Sequence, residues 1–144
     1  MTFHSTLRRA ADGERLAAQA EGEVCPVMLD VTDPAAIEAL IEALTKEGHS
    51  PQILVNNAGI CRHKRTLDLG PDFKDWYEVI DVNLNGLFLM CYYAAEIMKA
   101  QGGGSIINIT SISAQMVNVP QWQCSYNASK AAATHLVESL AIEW

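Results

Sequence analysis

The sequence lacks the features that mark two common classes of protein. No run of lysine and arginine is longer than Arg8-Arg9 or His63-Lys64-Arg65, and the net charge is −7. An acidic chain without a basic stripe does not suit nucleic acid as a partner. No apolar run reaches the ~18 residues of a membrane span, and the polar residues 1–20 do not resemble a secretory signal. We therefore expect a cytoplasmic protein with neither nucleic acid nor a membrane as its partner.

Cysteine and histidine are few and widely spaced. The four cysteines, at positions 25, 61, 91 and 124, form no C-x-x-C pair, which argues against a zinc site and against a disulfide scaffold. The four histidines cluster with no cysteine or carboxylate at ligand spacing. We predict reduced thiols of a cytosolic protein and no metal site.

Apolar runs and helix-forming segments alternate along the 144 residues, 49 % of which are hydrophobic. That length suits about one domain, which we take as residues 1–144. Alternating strands and helices predict an α/β fold, a parallel sheet with helices on both faces. We expect strands at 3–7, 24–30, 53–56 and 105–110, and helices at 11–21, from Asp33-Pro34 to Gly48, at 76–100 with Asn83 and Asn85 interrupting it, and at 126–143.

Polar residues follow three of these predicted strands. Asp30 ends the second strand, Asn56-Asn57-Ala58-Gly59 ends the third, and Ser111 follows the fourth. Ligands of parallel α/β sheets bind at the carboxyl ends of the strands. The sequence therefore predicts a binding site that brings these segments together.

Tyr126 and Lys130 provide a candidate acid/base pair. Four residues apart on a helix, they share one face. A free tyrosine has a pKa of about 10, and an adjacent lysine cation favours the phenolate and lowers that pKa. Tyr126 is thus a candidate general acid/base, and Ser111 could hydrogen-bond the same substrate oxygen. Tyr-x-x-x-Lys alone is more often a solvated helix face, so the assignment depends on the motifs upstream.

Taken together, these motifs resemble the short-chain dehydrogenase/reductase family. Asn56-Asn57-Ala58-Gly59 is similar to the family's Asn-Asn-Ala-Gly block, and Asn83 matches its helix asparagine. With Asn83, the residues Ser111, Tyr126 and Lys130 complete the family's catalytic tetrad. The resemblance covers nearly the whole chain and implies a Rossmann-like fold that binds a nicotinamide dinucleotide.

The resemblance also implies a role for each residue. Tyr126 transfers the proton, Ser111 polarises the substrate oxygen, Lys130 lowers the tyrosine pKa and bonds the nicotinamide ribose, and Asn83 holds a water of a proton relay. The implied substrate-binding residues are Ser111 and Tyr126. The implied cofactor-binding residues are Arg8, Asp30, Val31, Asn57, Ala58, Gly59, Tyr126 and Lys130. Among them, Asp30-Val31 matches the family's pair that contacts the adenine ring. Simpler roles remain open, because Asn83 could bond a neighbouring backbone group and Asp30 could cap a turn.

Two segments resemble the polyol and sugar dehydrogenase branch of the family. Ser111-Ile112-Ser113 is similar to its Ser-Met-Ser segment, and Asn118-Val119-Pro120-Gln121 to its Asn-x-Pro-Gln. This alignment makes Ser111 the catalytic serine, with Ser113 as the alternative. The implied substrate is a small-molecule alcohol or ketone, with a polyol or sugar as the candidate.

The cofactor preference depends on Arg8. The residue after the family's second strand meets the adenosine ribose, and an arginine there can pair with a 2′-phosphate. No carboxylate occurs between Ser5 and Asp12. We therefore expect NADP(H) to be favoured, with NAD(H) possible, although Arg8 could equally be an ordinary surface charge.

Parts of the family pattern are absent from the 144 residues. The glycine-rich turn would precede Phe3, and the next strand with its Pro-Gly turn would follow Trp144. We expect an incomplete sheet in which the Phe3 and Val24 strands have no strand linking them to the Ile53 and Ser105 strands. In the family, the two long helices build a subunit interface, so we expect the full-length protein to form a homo-oligomer, a dimer or a tetramer. The alternative function is a non-catalytic fragment that acts only in subunit association.

Overall fold

The computed structural model describes residues 3–7, 10–22 and 24–144. Strands and helices alternate in the predicted order. Short 3₁₀ turns cover Thr66–Asp68 and Ile112–Ala114. The main elements are β1 (Phe3–Leu7), α1 (Ala10–Gln19), β2 (Val24–Met28), α2 (Pro34–Lys46), β3 (Ile53–Asn56), α3 (Lys74–Ile80), a π-helical turn (Asp81–Asn85), α4 (Gly86–Ala100), β4 (Ser105–Asn108) and α5 (Cys124–Glu143).

The strands form two separate parallel pairs. β1 pairs with β2, with Phe3 opposite Val24, and β3 pairs with β4, with Ile53 opposite Ser105. Within the described residues, no ladder joins one pair to the other. The prediction of an incomplete parallel sheet, divided where a linking strand is lacking, is confirmed.

Two strands end earlier than the sequence suggests. We expected the second strand to reach residue 30, but β2 ends at Met28. The Asp30 carboxylate accepts hydrogen bonds from the main-chain N–H of Thr32 at 3.0 Å and from its hydroxyl at 2.8 Å, which turns the chain. The fourth strand was expected to reach residue 110, and β4 ends at Asn108.

Helix α2 begins as its sequence predicts. The Asp33 side chain accepts hydrogen bonds from the main-chain N–H groups of Ala35 and Ala36, at 3.0 and 3.1 Å, and Pro34 takes the first helical position. An aspartate cap followed by proline satisfies free N–H groups at a helix start.

The long helix predicted for residues 76–100 is three elements. α3 already begins at Lys74, and the predicted interruption at Asn83 and Asn85 is the π-helical turn, which buries Val82 and Asn83. A π turn adds a residue to the helical repeat and is frequent at functional sites. Helix α5 likewise begins at Cys124, two residues before the predicted start.

Helix α4 lies between two apolar clusters. One packs it against α2 and the chain after β2, and the other packs it against α5 and β4. None of the helices in the described ranges is both long and apolar enough to cross a membrane. The first cluster consists of Leu29, Val31, Ile37, Ile41, Val82 and Met90, and the second of Leu87, Cys91, Ala133 and Leu140.

Gly86 allows the two halves of the chain to approach closely. A Cβ at this position would lie 2.8 Å from Val31 Cγ2 and 3.0 Å from the Val31 carbonyl oxygen. Only glycine leaves the space that this backbone contact requires. The α4 start and the chain after β2 are therefore fixed against each other.

Candidate active site

A cavity of about 510 Å³ opens beyond the carboxyl ends of β3 and β4. Its position is the one that a parallel sheet predicts for a ligand. Most of its lining side chains can form hydrogen bonds. The lining residues are Asn57, Gly59, Ile60, Cys61, His63, Ile109, Thr110, Ser111, Ile112, Ser113, Asn118, Gln121, Gln123, Tyr126 and Lys130.

Helix α5 supplies the predicted acid/base pair from its first two turns. Tyr126 is half-buried at the cavity, and Lys130 is only 4 % exposed. The Lys130 Nζ lies 5.9 Å from the centroid of the Tyr126 ring and donates a hydrogen bond to the carbonyl oxygen of Ile109 at 2.9 Å. The two side chains lie near each other on one helix face, as the i, i+4 spacing predicts.

Burial changes the acidity of Lys130. Removal of the ammonium from solvent lowers the pKa of Lys130 below its ordinary value of 10.5, because burial disfavours the charged form. A lysine with a lowered pKa releases its proton more readily than a surface lysine. The cavity thus contains two titratable groups close together, the phenol of Tyr126 and the ammonium of Lys130.

Asn83 fixes the backbone of Ile60, which lines the cavity. Its side chain is fully buried. The amide oxygen accepts from the Ile60 N–H at 2.8 Å, and the amide nitrogen donates to the Ile60 carbonyl at 2.9 Å. The structure therefore shows the backbone-bonding role that the sequence left open for Asn83, and its role in a water relay stays a prediction.

Ser129 joins this network and was missed from the sequence. Its hydroxyl accepts a hydrogen bond from Asn83 Nδ2 at 3.0 Å and donates to the Tyr126 carbonyl at 2.8 Å. The residue is fully buried and lies directly before Lys130. Its position three residues after Tyr126 was the only available hint, since i and i+3 share a helix face.

Ser111 and Ser113 both reach the cavity. Ser111 is half-buried and Ser113 is 5 % exposed. The main-chain N–H of Ser113 donates to Ser111 Oγ at 3.1 Å, so the two side chains are adjacent. The choice of Ser111 as the catalytic serine stays a prediction.

The Asn56–Gly59 block is divided between the cavity and the helix packing. Asn57 and Gly59 line the cavity, whereas Ala58 borders a narrow void of about 10 Å³ beside Val31 and Gly86. Asn56 is buried and bonds Asn108 Oδ1 at 2.9 Å, tying β3 to β4. This block therefore shapes the floor of the site.

The predicted adenine-side residues lie away from the cavity. Asp30 is exposed at the turn after β2, with its carboxylate bonded to Thr32, and Val31 is buried in the first apolar cluster. Neither lines the 510 Å³ cavity. Arg8 lies outside the described residues, so its contact with a cofactor stays a prediction.

The residues around Lys130 fit the ribose end of a nicotinamide dinucleotide. One N–H of Lys130 is used by Ile109, and an ammonium carries two more. A Cβ at Gly59 would lie 3.6 Å from Lys130 Nζ, so the glycine leaves the flank of the ammonium open. Ammonium, amide and hydroxyl groups are suitable partners for ribose hydroxyls.

A second hydrogen-bond network, in the wall of the cavity, was also missed from the sequence. Gln123 is buried, and its amide nitrogen donates to Ser113 Oγ at 3.3 Å and to Asn127 Oδ1 at 3.0 Å. Asn118 donates to the same Ser113 oxygen at 3.2 Å. The Pro-Gln-Trp-Gln run marks a polar loop in the sequence, but only the fold shows that its side chains converge on Ser113.

Comparison with known proteins decides the family. The family model described as Enoyl-(Acyl carrier protein) reductase matches residues 3–144. The chain belongs to the short-chain dehydrogenase/reductase family.

Similarity to individual proteins supports the same family assignment for this chain. It is 41 % identical to a galactitol 2-dehydrogenase of Rhizobium johnstonii, over 95 % of this chain and 54 % of the relative. It is 40 % identical to a probable NADP-dependent mannitol dehydrogenase of Yarrowia lipolytica, over 79 % of this chain and 41 % of the relative. The structure of an NADPH-dependent 3-quinuclidinone reductase from Rhodotorula rubra superimposes with a TM-score of 0.84, at 34 % identity, covering 99 % of this chain and 55 % of that one. The chain thus spans about half the length of the curated relatives it matches.

Proposed function

We propose that this chain carries the proton-transfer site of an NAD(P)-dependent oxidoreductase that interconverts an alcohol and a ketone, with a polyol or sugar as substrate. The observation that carries the proposal is the buried Lys130 beside Tyr126 on a polar cavity, with the pKa of Lys130 lowered by burial. The similarity to mannitol and galactitol dehydrogenases supports the substrate class.

Each residue then has a stated task. Tyr126 gives its phenolic proton to the oxygen of a ketone, or takes the proton from an alcohol. Ser111 donates a hydrogen bond to the same oxygen. Lys130 stabilises the phenolate by its positive charge, and Asn83 with Ser129 fixes the helix turns that hold the pair.

Lys130, Asn57, Ala58 and Gly59 are the residues that we assign to the nicotinamide half of the cofactor. A nicotinamide bound there supplies or accepts the hydride, which is chemistry that protein side chains lack. The protein contributes orientation and electrostatics. Asp30 and Val31 are assigned to the adenine side.

The proposal is tested in a hybrid enzyme. In it, this chain replaces the matched segment of galactitol 2-dehydrogenase, and oxidation of polyols with NADP⁺ and NAD⁺ is followed by absorbance. Tyr126→Phe should reduce turnover by about 10²–10⁴-fold, the usual effect of removing a general acid/base. Cofactor binding should change little, since the aromatic ring is retained and only the hydroxyl is lost.

Tyr77→Phe is the matched control. Tyr77 lies on α3, is largely exposed and does not line the cavity, so turnover should stay within about twofold of the unmodified hybrid. Turnover that survives Tyr126→Phe would refute the assignment. A hybrid that folds and binds NADP⁺ but has no Tyr126-dependent turnover would support the non-catalytic alternative.

We propose NADP(H) as the preferred cofactor, with NAD(H) as the alternative. The NADP-dependent mannitol dehydrogenase and the NADPH-dependent reductase support this preference, and Arg8 offers a partner for a 2′-phosphate. Arg8→Asp should shift the ratio of kcat/KM for NADP⁺ over NAD⁺ by at least about tenfold toward NAD⁺. An unchanged ratio would remove Arg8 from the cofactor site.

We also propose a homo-oligomer in the cytoplasm. Phe88 and Tyr92 are exposed on one face of α4 with ring centroids 6.3 Å apart, which gives a second copy an aromatic surface to cover. All four cysteines are free thiols, as in proteins of reducing compartments. Sedimentation of the chain, with Phe88→Glu as the variant, tests the association, because a charge on this face should favour the monomer.

A further inference from the structure

The side chains of residues 61–64 alternate between two surroundings. Cys61 and His63 line the cavity, whereas Arg62 and Lys64 form ion pairs with carboxylates of α3. An extended chain produces this alternation, because side chains at i and i+2 lie on the same side of it. The thiol and the imidazole are therefore presented together to the cavity.

The segment is attached to its neighbours on two sides. Arg62 Nη2 lies 3.0 Å from Glu78 Oε2, and Lys64 Nζ lies 3.0 Å from Asp75 Oδ2. The main-chain N–H of Lys64 donates to the carbonyl oxygen of Trp122 at 2.8 Å, in the loop before α5. Each surface ion pair stabilises the fold only slightly, but together with the backbone bond they restrict where the two cavity-facing side chains can lie.

Three different donor atoms surround the thiol. Cys61 Sγ lies 3.8 Å from His63 Nε2 and donates to Gln123 Oε1 at 3.6 Å. Gln123 is buried, and its amide nitrogen donates to Ser113 Oγ and Asn127 Oδ1. These two bonds fix the orientation of the amide and keep its oxygen directed at the thiol. Sulfur, nitrogen and oxygen donors are thus adjacent at the cavity.

The separations between these atoms fit a tetrahedral zinc ion. Zinc binds sulfur at about 2.3 Å and nitrogen or oxygen at about 2.0–2.2 Å, which places the sulfur about 3.5 Å from each of the other two ligands. The observed separations of 3.8 Å and 3.6 Å exceed that value by only a few tenths of an ångström. Thiolate and imidazole ligands also favour zinc over magnesium or calcium, which prefer oxygen.

We propose that Cys61, His63 and the amide oxygen of Gln123 form a binding site for Zn²⁺ at the mouth of the cavity. On binding, a Zn–S bond replaces the S–H bond and the thiol proton leaves to solvent. Among the described residues, no three His, Cys, Asp or Glu side chains gather for a metal. The site therefore has two strong ligands and one weak one, and its remaining position is open to water.

A zinc ion at this position would occupy part of the substrate cavity. His63 is exposed at the cavity, so the ion can enter from solvent. The ion and its bound water would then take space that an alcohol or ketone requires, and Zn²⁺ would act as a reversible inhibitor. The inhibition rests on the proposed function, whereas the binding site does not.

Zinc titration of the reduced 144-residue chain against a chromophoric chelator measures the site directly. We expect one Zn²⁺ per chain. Cys61→Ser and His63→Gln should each weaken binding by at least about tenfold, since even the partners that orient a metal ligand contribute about 10–100-fold to affinity. With Cd²⁺ in place of Zn²⁺, the ultraviolet absorbance of a cadmium–thiolate bond should appear and should be lost in Cys61→Ser.

Cys25→Ser and His135→Gln are the matched controls. Cys25 is a free thiol on β2, and His135 is exposed on α5. Neither residue lines the cavity, so both variants should bind Zn²⁺ as the unmodified chain does. Zn²⁺ should also slow the alkylation of Cys61 by iodoacetamide, and leave that of Cys25 unchanged, as measured by mass spectrometry of the peptides.

The outcomes separate this inference from the proposed function. Zinc binding that both cavity variants weaken and both controls retain, with Cys61 protected, supports the site whether or not the hybrid enzyme turns over. No binding by the unmodified chain, or binding that survives either cavity variant, overturns it. In an active hybrid, full turnover at saturating Zn²⁺ would overturn the inhibition. Loss of Tyr126-dependent turnover alone overturns only the proposed function.

Discussion

The β1–α1–β2 region and the β3–α4–β4–α5 region differ in what they bury. No side chain of residues 4–7 or 24–28 is fully buried, and Gly13 is the only buried residue of 11–19. In the second region, Asn83, Ser129 and Cys91 are buried almost completely. The proposed chemistry therefore lies in the second region, where buried side chains fix the geometry.

The buried polar groups of the second region explain how this is possible. Buried amides and hydroxyls are stable only when they are hydrogen-bonded, and Asn83, Ser129 and Gln123 each have two or more partners. These bonds connect the loop after β3, the π-helical turn and α5. Positioning in the second region therefore comes from a polar network, whereas the first region is held by the pairing of β1 with β2 and by α1 packing closely on β2 at Gly13 and Pro26.

Among the predicted effects on stability, the loss of the Asn83 side chain should be the largest. Asn83→Ala leaves the N–H and carbonyl of Ile60 and the Ser129 hydroxyl without the partner they have now. Leaving a buried polar group unsatisfied costs about 1–3 kcal/mol, so we expect the free energy of unfolding to fall by about 3 kcal/mol in urea denaturation. Asn85→Ala is the control, because Asn85 is exposed and bonds Asp81; it should change stability by less than about 0.5 kcal/mol. Equal effects of the two variants would contradict the buried network.

A side chain at Gly86 should disturb the contact between the regions. The Cβ of Gly86→Ala would meet Val31 Cγ2 at 2.8 Å and the Val31 carbonyl oxygen at 3.0 Å. Overpacking costs typically about 1–3 kcal/mol, and the higher helix propensity of alanine offsets up to about 1 kcal/mol. We expect a net loss of about 1 kcal/mol in the free energy of unfolding. Gly22→Ala, where a Cβ meets no atom within 4 Å, should not destabilise the chain, and a stabilising Gly86→Ala would show that the regions are not in contact there.

The pH dependence of stability should show the burial of Lys130. Because burial lowers the pKa of Lys130 in the folded chain below 10.5, the unfolded chain binds more protons in the interval between the two values. Stability then rises with pH across that interval. We expect the difference in unfolding free energy between the unmodified chain and Lys130→Met to grow as the pH rises toward 10.5. A difference that falls with rising pH would mean that the folded state favours the ammonium.

The sequence predicts elements better than it predicts contacts. The apolar run Ile53–Val55 and the isoleucines of 105–109 place β3 and β4, because the strands of parallel sheets are continuously apolar, although Ile53, Val55 and Ile107 are about half exposed in this structure. The Asp33-Pro34 pair places the start of α2. Tyr126 and Lys130 could be predicted because i, i+4 spacing is local. The roles of Ser129 and Gln123 could not, since each depends on a partner far apart in the sequence, Asn83 for Ser129 and Cys61 for Gln123.

The π-helical turn at Asp81–Asn85 has a consequence for insertions and deletions. An α-helix advances about 100° per residue, so the extra residue of a π turn sets the angular phase of α3 relative to α4. The chain buries Val79 before the turn and Leu87 after it, so a change in the length of the turn alters the angle between these two buried side chains by about 100° per residue. Deletion of one residue between Asp81 and Asn85 would therefore rotate Val79 by about 100° relative to Leu87, and one of the two would lose its buried position. Families that share this turn should therefore tolerate substitutions along the helix more readily than any change in its length.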